Sequence, residues 1–100
     1  MTYHDRQGNS ITREAWVAAM KDNRVALDQV GPYQVSTVWL GIDHGFGHGA
    51  PLIFETMVFG GGGRTDLTER FSNRYTTEAA AIQGHANIVG MVQALEGATP

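Results

Sequence analysis

Apolar residues recur along this chain in two periods, one helical and one strand-like. In "TREAWVAAMKDN", Ala15, Trp16, Ala19 and Met20 form one stripe at helical spacing. Thr12 is placed to cap that helix, Glu14 puts an acid in its first turn, and Asn23 ends it. "TTEAAAIQGHANIVGMVQALEG" repeats the pattern over a longer span. Its cap is Thr76 or Thr77, Glu78 lies in the first turn, and Ala81, Ile82, His85, Ile88, Val89, Val92 and Leu95 make the apolar face. Gly97 is the expected stop. Between the helices the period shortens to two. "RVALDQV" reads as a short strand and Gly31-Pro32 as a turn. "YQVSTVWLGID" and "PLIFETMVF" are the strongest strands, rich in β-branched and aromatic residues. "TYHDRQGNSIT" suits a short hairpin or an extended arm turning at Gly8-Asn9. "RTDLTERFSNR" reads as a polar loop, closing with a strand at Arg70 to Tyr75. The expected fold is α+β: an antiparallel sheet with a long central hairpin, one short N-terminal helix, and a longer C-terminal helix packed on the sheet.

The alternation also predicts two faces for the central hairpin. With residues 44 to 50 as its loop, Asp43 lies near Pro51, Trp39 opposite Glu55 and Leu40 opposite Phe54. One face then carries Val38, Leu40, Ile42, Leu52, Phe54 and Val58, a core for the last helix to cover. The other carries Val35, Thr37, Trp39, Ile53, Glu55, Met57 and Phe59. It is too apolar to be left in water, so the first helix, a second subunit or a ligand should cover part of it.

The length of 100 residues is that of one domain, spanning 1–100. The chain has no cysteine, which excludes disulfides, thiol catalysis and cysteine-based zinc sites. A net charge of −3 with seven scattered basic residues argues against duplex nucleic acid. No apolar run approaches the ~20 residues of a membrane span. The polar start "MTYHDRQGNS" lacks the apolar core of a signal peptide, so a cytosolic setting is expected.

Chemistry concentrates in "GIDHGFGHGAP", residues 41 to 51. Gly45 to Ala50 matches the letters of a dinucleotide fingerprint, but Pro51 and a strand follow where a helix is required. The glycines at 60 to 63 likewise lack the Lys-Ser/Thr pair and helix of a phosphate-binding loop, and read as a connector. Asp43, His44 and His48 are the candidate metal ligands, since imidazole and carboxylate suit zinc and three ligands leave an open position. The plainer reading is a shaped turn in which Asp43 accepts backbone hydrogen bonds. Between the two stands an anion held by the loop's N–H groups. Phe46 and His48 alternate with glycines, which displays their side chains. Trp39 and Glu55 are candidates to line a ligand pocket, as stacking plate and acceptor. His85, alone on an apolar helix face, reads as a core histidine with one polar partner.

"MTYHDRQGNSIT", "VSTVWLGIDHGFG", "PLIFETMVFGG" and "RYTTEAAAIQGHANIV" together resemble a family of small proteins encoded by actinobacterial phages and prophages, with bacterial cousins. The similarity covers most of the chain, and "WLGIDHGFG" and "PLIFETMVFG" are its most specific parts. The family has no established activity, so no residue role carries over. The resemblance implies a phage accessory product acting in the host cytoplasm.

The leading expectation is a non-enzymatic binding protein that engages a host protein or a small anionic host metabolite. It would do so through Trp39, Asp43, His44, Phe46, His48 and Glu55. It would need no cofactor and would self-associate as a homodimer. The competing expectations are a metal-assisted hydrolase, with Asp43, His44 and His48 as ligands and Glu55 as base, and a component of the virion or its assembly.

Overall fold

The computed structural model of the chain describes residues 2–43, 49–60 and 71–98. His44, Phe46 and His48, and most of the glycine run with the polar stretch behind it, lie outside the described residues. A two-stranded hairpin, β1 (Tyr3–His4) and β2 (Ser10–Ile11), leads into α1 (Arg13–Ala19) and a 3-10 turn (Met20–Asp22). Next come β3 (Arg24–Val30), β4 (Tyr33–Trp39), β5 (Phe54–Gly60), β6 (Asn73–Tyr75) and α2 (Glu78–Ala98). Strands β3 to β6 form one antiparallel sheet in chain order, and α2 packs across it. The fold is therefore α+β, with a short N-terminal helix and a longer C-terminal one. None of the described helices is long and apolar enough to cross a membrane.

Local chemistry sets the element ends. Thr12 Oγ1 accepts from the Ala15 N–H at 3.1 Å, and Thr77 Oγ1 accepts from the Ala80 N–H at 3.1 Å. Each satisfies one of the orphan donors of its helix. Gly31-Pro32 joins Val30 to Tyr33 in a two-residue turn. The N-terminal hairpin is fastened in three places. His4 N–H donates to Gly41 O at 2.8 Å, the Tyr3 ring lies 4.8 Å from that of Trp16, and Arg6 pairs with Glu78 at 2.9 Å.

Pairing between β4 and β5 differs by one residue from the sequence expectation. Trp39 lies opposite Phe54 and Val38 opposite Glu55. The physical reason lies just beyond β4. The N–H groups of Leu40 and Gly41 both point at the carbonyl of Ile53, at 2.7 and 3.3 Å. Two residues facing one is a bulge, and it consumes the residue that counting back from Asp43 and Pro51 assigned to the ladder. The faces regroup accordingly. Val35, Thr37 and Trp39 join Phe54, Thr56 and Val58 under α2, while Val38, Glu55 and Met57 face the other way.

The core has two apolar clusters under α2. One gathers Val30, Tyr33, Val35, Val58, Ile88 and Val92, with Phe71, Val89 and Leu95 at its margin. The other gathers Trp39, Ile53, Phe54, Tyr75 and Ala81, and Ile11, Trp16, Met20 and Val25 close it from the side. Burying such side chains contributes roughly 1.5–3 kcal/mol each. The cover for Trp39 is thus the first helix and its neighbours. Ile82, expected in the core, is 53% exposed. The helix is turned away from it because His85 reaches down to Thr37 and the Tyr75 ring lies on Gly84.

That last contact leaves no room for a side chain. A β-carbon at Gly84 would sit 2.2 Å from Tyr75 Cε1 and 2.3 Å from its hydroxyl. Alanine would gain about 1 kcal/mol in helix propensity, against overpacking of roughly 1–3 kcal/mol. Gly84→Ala is therefore expected to destabilise by about 1 kcal/mol, measured by urea unfolding. A more stable variant would show that the ring yields freely.

Candidate functional site

Between the two apolar clusters runs a polar belt. Along β4 the order is Val35, Thr37, Trp39; along β5 it is Val58, Thr56, Phe54; along α2 it is Ala81, His85, Ile88. Thr37 and Thr56 are completely buried and hydrogen-bonded to each other through their hydroxyls. Thr37 Oγ1 lies 2.7 Å from His85 Nδ1, and His85 Nε2 lies 2.7 Å from Asp28 Oδ2. The Asp28 side chain is 55% exposed, so the chain of four runs from the sealed interior to the edge of β3. Its direction follows from chemistry. A carboxylate only accepts, so Nε2 carries the hydrogen. In the neutral ring Nδ1 then accepts from Thr37, whose oxygen accepts from Thr56. Carboxylate, imidazole and hydroxyl in a line resemble the order of a nucleophilic triad. Here the hydroxyl is fully buried, so no substrate reaches it, and the arrangement ties α2 to the sheet.

The residues singled out by sequence do not converge. Trp39 is 1% exposed and sits within the core. Glu55 lies on the opposite side of the sheet, where its carboxylate takes a hydrogen bond from Arg74 Nε at 2.9 Å. Asp43 Oδ1 accepts from the Leu52 N–H at 3.0 Å and so clasps the two ends of the 44–51 segment. His44, Phe46 and His48, and the metal set that needs them, fall outside the described residues. Among the described residues no cluster of three or more His, Asp or Glu is placed to hold a metal ion. His85 is a buried core histidine, but it has two polar partners where one was expected.

A cleft opens where the N-terminal hairpin meets the 3-10 turn. Its volume is about 340 Å³, and Asp5, Arg6, Gln7, Ala19, Asp22 and Trp39 line it. Arg6 uses three of its five N–H donors: it donates to Glu78 Oε1 at 2.9 Å, to Asp22 O at 3.0 Å and to Arg24 O at 3.4 Å. Asp5 Oδ1 accepts from the N–H groups of Gln7 and Asn9, at 3.0 and 2.9 Å, and shapes the hairpin turn. Trp39 closes the inner end, and its buried Nε1 has no hydrogen-bond partner.

Sequence reasoning found Trp39 and missed the company it keeps. Asp5, Arg6 and Asp22 read as ordinary polar surface, because the docking of the hairpin that assembles them depends on contacts distant in sequence. Thr37 and Thr56 left a faint signal, each a hydroxyl between apolar residues on its own strand face, Val35 and Trp39 for one and Phe54 and Val58 for the other. Compared with family models, curated proteins and solved structures, the chain matches none.

Proposed function

We propose that this chain is a non-enzymatic binding protein of phage type that engages a host protein in the host cytoplasm. The observation that carries the reading is the cleft between the hairpin and the 3-10 turn, concave, with an aromatic inner wall and convergent polar groups. Two further features support it. The chain of His85, Thr37 and Thr56 is sealed from substrate. The far side of the sheet presents Leu27 and Phe59, 47% and 45% exposed, as the surface on which the expected second copy would pack.

The test is affinity capture from a lysate of an actinobacterial host, with wild type and Ala19→Arg compared side by side. Ala19 is exposed on α1, so arginine there fills the cleft without entering the core. One host protein is expected at near-stoichiometric yield with wild type and at least tenfold less with the variant. Equal capture by both, or none by wild type, would remove the cleft from the function.

A further inference from the structure

We infer that the far side of the sheet closes on a second copy of the chain through a reciprocal lock, in which Phe59 of each copy seats over Ser36 of the other; this rests on reading that side as the surface of self-association. The strand register sets the relief of the surface. Leu27 on β3, Ser36 on β4 and Met57 on β5 stand in one row across the strands. The middle residue is small and 9% exposed between two longer neighbours, which makes a socket. The next row holds Gln29, Gln34 and Phe59, and Phe59, 45% exposed, is a knob. Knob and socket therefore lie on the diagonal of adjacent strands, about 7–8 Å apart.

A knob and a socket on one face specify their own partner. A two-fold axis set midway between them, across the line that joins them, carries each Phe59 onto Ser36 of the other copy. Met57 and Gln34, the other two corners of that square, fall beside the axis and meet their own counterparts. Two Met57 side chains make an apolar, adaptable contact. Gln34 is exposed, and its amide carries both donor and acceptor, so two of them pair reciprocally. Charge stays off this centre. Arg24, Glu55 and Arg74 share the row on the other side of Ser36, where Glu55 and Arg74 already pair at 2.9 Å. Cores of protein interfaces are likewise depleted in charge. An unrelated partner would have to supply knob, socket and amide separately, while a second copy brings all three at matching spacing. Three seven-residue strands offer a small face for a permanent dimer, so association is expected to depend on concentration.

Sedimentation equilibrium of the full chain from about 5 to 500 μM is expected to show monomer and dimer in exchange, as for a small interface. Phe59→Asp removes the knob and Ser36→Lys fills the socket, and each alone is expected to weaken the dimer at least tenfold. Amide spectra check that both fold; should Ser36→Lys fail to, Phe59→Asp still tests the lock, because its site is half-exposed. Mixing the two variants is the discriminating step. In the mixed pair one contact sets the introduced carboxylate against the introduced ammonium, and the other contact is wild type. A heterodimer is therefore expected where neither variant associates alone, a rescue that a merely sticky face does not give. Wild type monomeric throughout, Phe59→Asp dimerising like wild type, or a mixture of folded variants that stays monomeric would overturn the inference. The two claims fail separately. A host protein captured by a chain that stays monomeric leaves the binding role standing and removes the lock. A dimer with the expected rescue and no captured protein leaves the lock standing and removes the host-protein role.

Discussion

Gly41→Ala is expected to cost about 3 kcal/mol, and two separate physical effects sum to that figure. The backbone at Gly41 has φ +70°, a left-handed conformation that costs a β-carbon roughly 1–2 kcal/mol. A β-carbon there would also lie 2.6 Å from Trp16 Cδ1 and 2.6 Å from Trp39 Cζ2. Both rings are held, Trp16 by its Nε1–H to Leu40 O at 2.8 Å and Trp39 by complete burial. Forcing them apart adds roughly 1–3 kcal/mol. For a domain of this size the sum corresponds to a fall in melting temperature of about 15 °C. Gly49 supplies the control, because it has nearly the same φ, +72°, and no described residue within 4 Å of its would-be β-carbon. Gly49→Ala should show only the backbone cost, about 1 kcal/mol. The difference between the variants then measures the packing of the tryptophan pair. Equal melting temperatures would mean that the two rings separate without resistance. Gly41 also accepts from the His4 N–H, so the variant should raise hydrogen exchange across the N-terminal hairpin first. The first glycine of the dense 41–51 stretch is thus accounted for by architecture.

Helices and strands were legible here because their signals are local, while the site was not because its causes are distant. The Thr12 and Thr77 caps and the apolar periods of α1 and α2 act within a few residues, and the structure places both helices where those signals lie. The rotation of α2 depends on Tyr75 finding a side-chain-free patch at Gly84, which no periodicity contains. The hairpin register turned on a bulge at Leu40 and Gly41, invisible in an alternation pattern that assumes an unbroken ladder. The same slip moved Thr37 into the core, where a polar residue looks misplaced until Thr56 and His85 are seen beside it. Trp39 stood out by residue type, yet its expected companion Glu55 faces the other side of the sheet. The side chains that do share its cleft come from the hairpin turn and the end of α1, joined by tertiary contacts alone.

Thr37→Val is expected to destabilise by about 3 kcal/mol although it opens no cavity in the core. Threonine and valine have nearly the same volume, so no cavity opens. What changes is that two buried polar groups, His85 Nδ1 and the Thr56 hydroxyl, lose their shared partner at once. Each stranded group costs roughly 1–3 kcal/mol. Removing the whole belt should be milder than breaking it. In Thr37→Val/Thr56→Val/His85→Leu nothing buried is stranded, and Asp28 is exposed enough for water to take the place of His85. The triple variant is expected to be less destabilised than Thr37→Val alone, as for buried polar groups replaced together by apolar ones. Its loss should appear elsewhere. With the belt intact, sliding α2 by one turn would set His85 against Val35 or Phe54, where neither nitrogen finds a partner. The belt therefore fixes the position of α2 along the sheet. In the triple variant an apolar helix face meets an apolar sheet at more than one register, which broadens the α2 amide resonances. Urea unfolding of the single and triple variants, with amide spectra of the triple, tests both halves. A single variant as stable as wild type, or a triple variant with one sharp set of α2 resonances, would show that the belt is not what holds the helix in place.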